Sequence, residues 1–161
     1  MNKKTIQPLI PKAMQAIREV GIVGEDEKFN KVHKGYIDAL GPNIVQSGLL
    51  PTLIFYNKDE RKLWLKALYY MQEVISRETE YADIEPTAII KLITGGEEGR
   101  VKDLKSRTRD WEHKILEYAI ALKLALRTFV VEEPKKDEME QQEGSELLIL
   151  DTSTTKSISI Q

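Results

Sequence analysis

Few groups in this 161-residue chain can do chemistry, and their spacing narrows the choice further. There is no cysteine, so disulfides, thiolate metal sites and thiol nucleophiles are excluded. His33 and His113 are the two histidines, and neither stands in an H-E-x-x-H or His-Asp arrangement of a hydrolytic metal centre. Asp110, His113 and Glu117 fall on one helix face at ligand-like spacing. A di-metal bundle needs such pairs from two helices plus further carboxylates, and no second pair exists, so a solvated helix face accounts for these residues and no metal or other cofactor is expected. The Ser47-Gly48 and Gly95-Gly96 turns are not followed by Gly-Lys-Ser/Thr or preceded by a strand pattern, which excludes a phosphate loop and a nucleophile elbow. The chain reads as non-enzymatic.

What remains is charge. Arg100, Lys102, Lys105, Arg107 and Arg109 stand within ten residues with Asp103 opposing them, and helical spacing does not allow all of them to face a core. Lys28, Lys31 and Lys34 form a second basic group, and Arg61, Lys62 and Lys66 a third. Two readings stay open: solubilising helix faces, or a track that holds a nucleic-acid backbone without reading sequence. On the second reading the RNA-backbone contacts come from Lys28, Lys31, Lys34, Arg61, Lys62, Lys105, Arg107 and Arg109. Trp64, Tyr69, Tyr70, Trp111 and Tyr118 lie on or beside apolar stripes and read as core, not as stacking platforms for bases. The net charge of −2 divides unevenly: from Glu132 onward three basic residues face eight acidic ones, a net −5, which leaves +3 on the body through Val131.

The elements that must carry these residues read as helices throughout, and a hydrophobic fraction of 41% supplies a single-domain core. The organising stretch is Leu40 to Asn57, where Pro42 starts a short helix, Gly48 ends it with a positive φ, and Pro51 starts another. Ile44, Val45, Leu49, Leu50, Leu53, Ile54 and Phe55 leave it almost no polar face, so the pair is expected to be buried. Before it, Pro8 and Pro11 start a helix that runs to about Val20, Gly21 and Gly24 end it, and Asp26 caps a second whose stripe is Phe29, Val32, Tyr36, Ile37 and Leu40. After it, Asp59 caps a long helix to about Thr79, and Glu85-Pro86 opens a short one over Thr87 to Ile93 that Gly95-Gly96 closes. A last helix begins near Gly99, with Val101, Leu104, Thr108, Trp111, Ile115, Tyr118, Leu122, Ala125 and Phe129 at three- and four-residue steps. Its apolar half, Ile115 to Val131, is shorter than the ~20 residues that span a bilayer. No period-two strand pattern or internal repeat is visible in the body.

The expectation is an all-α, compact single-domain bundle of about six helices over 1–131, followed over 132–161 by an acidic tail too polar to order itself. Apolar residues return at Leu147 to Leu150 and Ser157 to Ile160, as a plain tail or as a peptide for a partner. No secretory or membrane signal is apparent near the N-terminus, and a cytoplasmic home is expected.

Lys34-Gly35-Tyr36, the run Pro42, Ile44, Gln46, Gly48, Leu49, and then Thr52 to Phe55 resemble the small all-helical subunit of type III-B CRISPR effector complexes. The likeness covers Pro8 to about Val131 in helix order and length, departs from the family pattern at Ser47, where a small polar residue or asparagine is usual, and says nothing of the tail. Such subunits stack on copies of themselves beside the backbone RAMP subunits and the large subunit, and their basic face lines the groove that holds guide and target RNA. The resemblance thus implies a non-catalytic role in antiviral defence. The alternative is a helical protein–protein adaptor without nucleic-acid contact.

Overall fold

The computed structural model describes residues 3–72, 84–95 and 104–133, the first four of the last segment by backbone course alone. Among the described residues the fold is all-α, apart from one pair of two-residue strands. A single turn, α1 (Lys3–Ile6), runs through the 3-10 turn Gln7–Leu9 into α2 (Ile10–Glu19), so the first helical stretch begins ahead of both prolines. Pro8 and Pro11 sit in the opening positions of the 3-10 turn and of α2, where a missing N–H costs no bond. Then follow α3 (Val32–Ser47), α4 (Leu49–Tyr56), a 3-10 turn at Asp59–Arg61, α5 (Lys62–Tyr70), α6 (Ala88–Thr94) and α7 (Leu104–Leu126). Six of these helices, α2 to α7, have seven residues or more. The expected extension of α5 to Thr79, the start of the last helix near Gly99, Gly96 and the tail beyond Glu133 lie outside the described residues.

The axis of the fold is α7, not the Leu40 to Asn57 stretch. It packs on α2 and α3 most extensively and also touches α1, α4, α5 and α6. Its expected stripe supplies the reason: Ile115, Leu122 and Ala125 are fully buried, with Ala119, Ala121 and Leu126 beside them, and Trp111 and Tyr118 half-buried at the margin. Small residues at 119, 121 and 125 let neighbouring helices approach closely from several sides. Asp38 pairs with Lys123 at 3.7 Å and Leu116 lies against Gly41, so α3 and α7 run antiparallel.

Three local readings are corrected. Pro42 does not start a helix but lies inside α3, which is 16 residues long. A proline normally clashes with the Cβ and backbone of the residue before it, and here that residue is Gly41, which has no Cβ. Lys28–Phe29 is not helical but a two-residue strand, β1, paired in parallel with β2 (Val130–Val131). Asp26 therefore caps no helix: its Oδ1 accepts the N–H of Lys28 at 3.1 Å in a turn. Asn30 does the corresponding work ahead of α3, where its Oδ1 accepts the N–H of Val32 at 3.1 Å. Asp59 likewise makes no cap bond and has a φ of 51° inside its 3-10 turn.

The α3–α4 break does fall at Gly48, with φ 94° and ψ 159°, a conformation that side chains disfavour. A Cβ there would lie 3.6 Å from Pro51 Cδ, an ordinary contact, so the penalty of substitution comes from the backbone alone. Gly48→Val is expected to destabilise by about 1–3 kcal/mol, read as a lower midpoint in urea. Unchanged unfolding would show that the break adopts another geometry.

Two hydrogen bonds close the hairpin. Thr52 Oγ1 donates to the Asn43 carbonyl at 3.0 Å, and the Tyr56 hydroxyl donates to the Tyr36 carbonyl at 2.6 Å. Burial raises the Tyr56 phenol above its ordinary value near 10. The folded state therefore holds this proton to higher pH than the unfolded chain does. Its stabilising contribution is complete below pH ~10 and is lost as pH rises through the folded value. Tyr56→Phe should cost about 1 kcal/mol at pH 8 and flatten the decline of stability above pH ~10. Parallel slopes for the two proteins in that window would rule out the assigned proton.

Candidate nucleic-acid interface

Six of the eight candidate cations have described side chains. Lys28, Lys31, Lys34, Lys62 and Arg109 are exposed, and none forms an ion pair with a described residue. Arg61 is different. It is half-buried, with its guanidinium 4.3 Å from the centroid of the Phe55 ring. Lys105 and Arg107 lie in the first turn of α7, whose side chains lie outside those described.

The antiparallel packing of α3 on α7 decides which cations meet. Lys34, near the start of α3, comes to the far end of α7, where it shares a cleft with Lys123 and Arg127. Lys28 is on the adjoining strand, in register with Val130. The Asp59–Arg61 turn packs on α3, with Glu60 3.4 Å from Nε2 of His33, which brings Arg61 and Lys62 to the same neighbourhood. Arg109 stands apart. From it to Lys123 are fourteen residues of α7, about 21 Å at 1.5 Å per residue. The candidates with described side chains thus fall at two places at opposite ends of α7, Arg109 at one and the other five at the other, and not on one continuous stripe.

Lys123 and Arg127 were not among the expected contacts. Their signal was present, since the two are one helical turn apart and would share a face with Arg109, but it lay within a run whose apolar content pointed to the core. Other surface cations are already engaged: Arg18 binds Glu27 at 2.9 Å, Lys91 binds Glu85 at 3.3 Å, and Lys114 lies 5.2 Å over Trp111.

The expected burial of the Leu40 to Asn57 stretch is half right. Ile44, Leu49 and Leu53 are buried, but Val45, Ile54 and Phe55 are 71%, 61% and 59% exposed. With both helices apolar on nearly every side, only one side of each can face α5, α6 and α7. The remainder is left as an apolar surface on which Arg61 rests.

The histidines do other work. His33 is buried, edge-on to the rings of Tyr36 and Trp64 at 5.9 and 6.0 Å, while the exposed His113 sits 3.2 Å from Glu117 one turn on. Among the described residues no three histidine, aspartate or glutamate side chains gather as metal ligands, and no helix is long and apolar enough to cross a membrane. Compared with family models, curated proteins and solved structures, the chain matches none, so its likeness to the CRISPR small subunits rests on the sequence motif.

Proposed function

We propose that this chain is a non-catalytic small subunit of an RNA-guided effector complex of the type III-B kind, which stacks on copies of itself beside the backbone RAMP and large subunits. In that setting its exposed cations hold guide and target RNA by the backbone, in cytoplasmic antiviral defence. The observation that supports this most is the state of the candidate cations: five of the six with described side chains stand in solvent without an ion pair to a described residue. Lysines and arginines placed this way bring no sequence preference and bind wherever phosphates line up.

A second reading, a helical adaptor that binds protein alone, is favoured by one feature. Val45, Ile54 and Phe55 expose apolar surface, and Arg61 is spent on Phe55 instead of standing free. In the effector reading the same surface meets neighbouring subunits. Purification of the tagged full chain from its native lysate, with and without ribonuclease, separates the two. RAMP subunits together with guide-length RNA are expected. Stable protein partners with no RNA would support the adaptor and overturn the effector reading.

A further inference from the structure

The cleft at the end of α7 has a chemistry of its own. Its floor is the buried Phe29, Ile37, Leu126 and Phe129, and Val131 of β2 also lines it. Its rim carries Lys34, Lys123 and Arg127 against a single carboxylate, Asp38. Asp38 answers Lys123 at 3.7 Å, which leaves Lys34 and Arg127 with no ion pair to a described residue. Phe129 also lies against Arg18, whose guanidinium is 5.2 Å from the ring centroid and is itself paired with Glu27 at 2.9 Å. The cavity measures about 180 Å³. An enclosed apolar cavity of about 150 Å³ accommodates a benzene ring, so this open cleft has room for a pyrimidine, or for a purine that protrudes to solvent.

We propose that this cleft takes the base of one unpaired nucleotide onto its apolar floor, with that nucleotide's phosphate on Lys34 and Arg127. Rim and floor argue together for this ligand. An aliphatic side chain would cover the floor and leave two cations unanswered, and an acidic side chain would do the reverse. A nucleotide carries a flat ring with an apolar face for the floor, and a phosphate for the rim, on one small frame, which matches both. Base contact of this kind is tolerant of sequence, because every base presents a π-face. The inference rests on the RNA-binding reading and adds to it a contact that duplex backbone cannot make: a place for a nucleotide that is not base-paired.

The test is a methyl NMR titration of the full chain with uridine 5′-monophosphate and adenosine 5′-monophosphate, beside ribose 5-phosphate and inorganic phosphate. The nucleotides should shift the methyls of Ile37, Leu126 and Val131 saturably and leave Leu53, in α4, unmoved. Ribose 5-phosphate should bind at least tenfold more weakly. Lys34→Glu with Arg127→Glu should weaken nucleotide binding at least tenfold. Val131→Trp, at a partly exposed position, should block it while native spectra persist elsewhere. Equal shifts from ribose 5-phosphate or phosphate would reduce the cleft to an anion site and overturn the proposal. So would the absence of saturable shifts, or displacement of the nucleotide by an acidic apolar peptide that binds more tightly. The outcome is separable from the backbone-binding reading: a failed cleft leaves RNA affinity of the assembled complex standing, and nucleotide binding without RNA affinity would leave the cleft and remove the track.

Discussion

Leu53→Ala is expected to cost roughly 2–5 kcal/mol, while Ile54→Ala, one residue on, should stay within about 0.5 kcal/mol. Leu53 is fully buried where α4 meets α3, α5, α6 and α7, so truncation removes transfer energy and leaves a cavity that helices on several sides cannot all collapse to fill. Ile54 is 61% exposed and its loss opens no cavity. Urea unfolding of both variants beside the parent gives the comparison directly, with unchanged m-values as the sign that the denatured state is the same. Comparable losses at the two positions would mean that α4 is seated by a different face.

That contrast also marks the limit of what the residues told in advance. The stripe of α7 was legible because three- and four-residue steps over more than twenty positions leave one apolar side, and its burial follows that side. The break at Gly48 and the left-handed Gly95 that ends α6 were legible because each needs a residue without a Cβ. In α4, LLPTLIFY is apolar on all sides, so periodicity holds no information about which side faces in, and the neighbours decide. Strand β1 was hidden for another reason. Its two residues pair with Val130 and Val131, about a hundred positions away, and the local contribution is a single antiparallel bridge from Phe29 to Val23, too short to leave a pattern. Pro42 misled because the usual meaning of proline depends in part on the residue before it, and Gly41 removes the Cβ share of the clash.

The candidate site divides in the same way. The types and exposure of Lys28, Lys31, Lys34, Lys62 and Arg109 were readable, because unpaired charges in groups seek solvent. Their partition into two groups was not, since it depends on α3 lying antiparallel to α7. Lys123 and Arg127 join the first group only through that packing.

The partition sets up the second large effect. Lys31 and Arg109 belong to different groups, are both exposed, and neither lines the cleft. Lys31→Glu combined with Arg109→Glu should lower the affinity of the assembled complex for target RNA by about tenfold or more at ~0.1 M salt, and to a similar degree for every sequence. Because each phosphate contact releases roughly one counterion, the slope of log affinity against log salt should fall by about two units. In a filament each subunit repeats the loss, so the complex should reveal it better than the isolated chain does. Folding should be nearly untouched, as exposed helix charges are each worth about half a kcal/mol or less. The measurement is a target-RNA titration at several salt concentrations with intact parent and variant complexes. A single-charge variant at either end should give about half the slope change, which would place both groups on the backbone. A change from one end alone would confine the track to that end. No change from either, with assembly intact, would leave the exposed lysines and arginines as solubilising charge and transfer the functional weight to the apolar surface around Phe55.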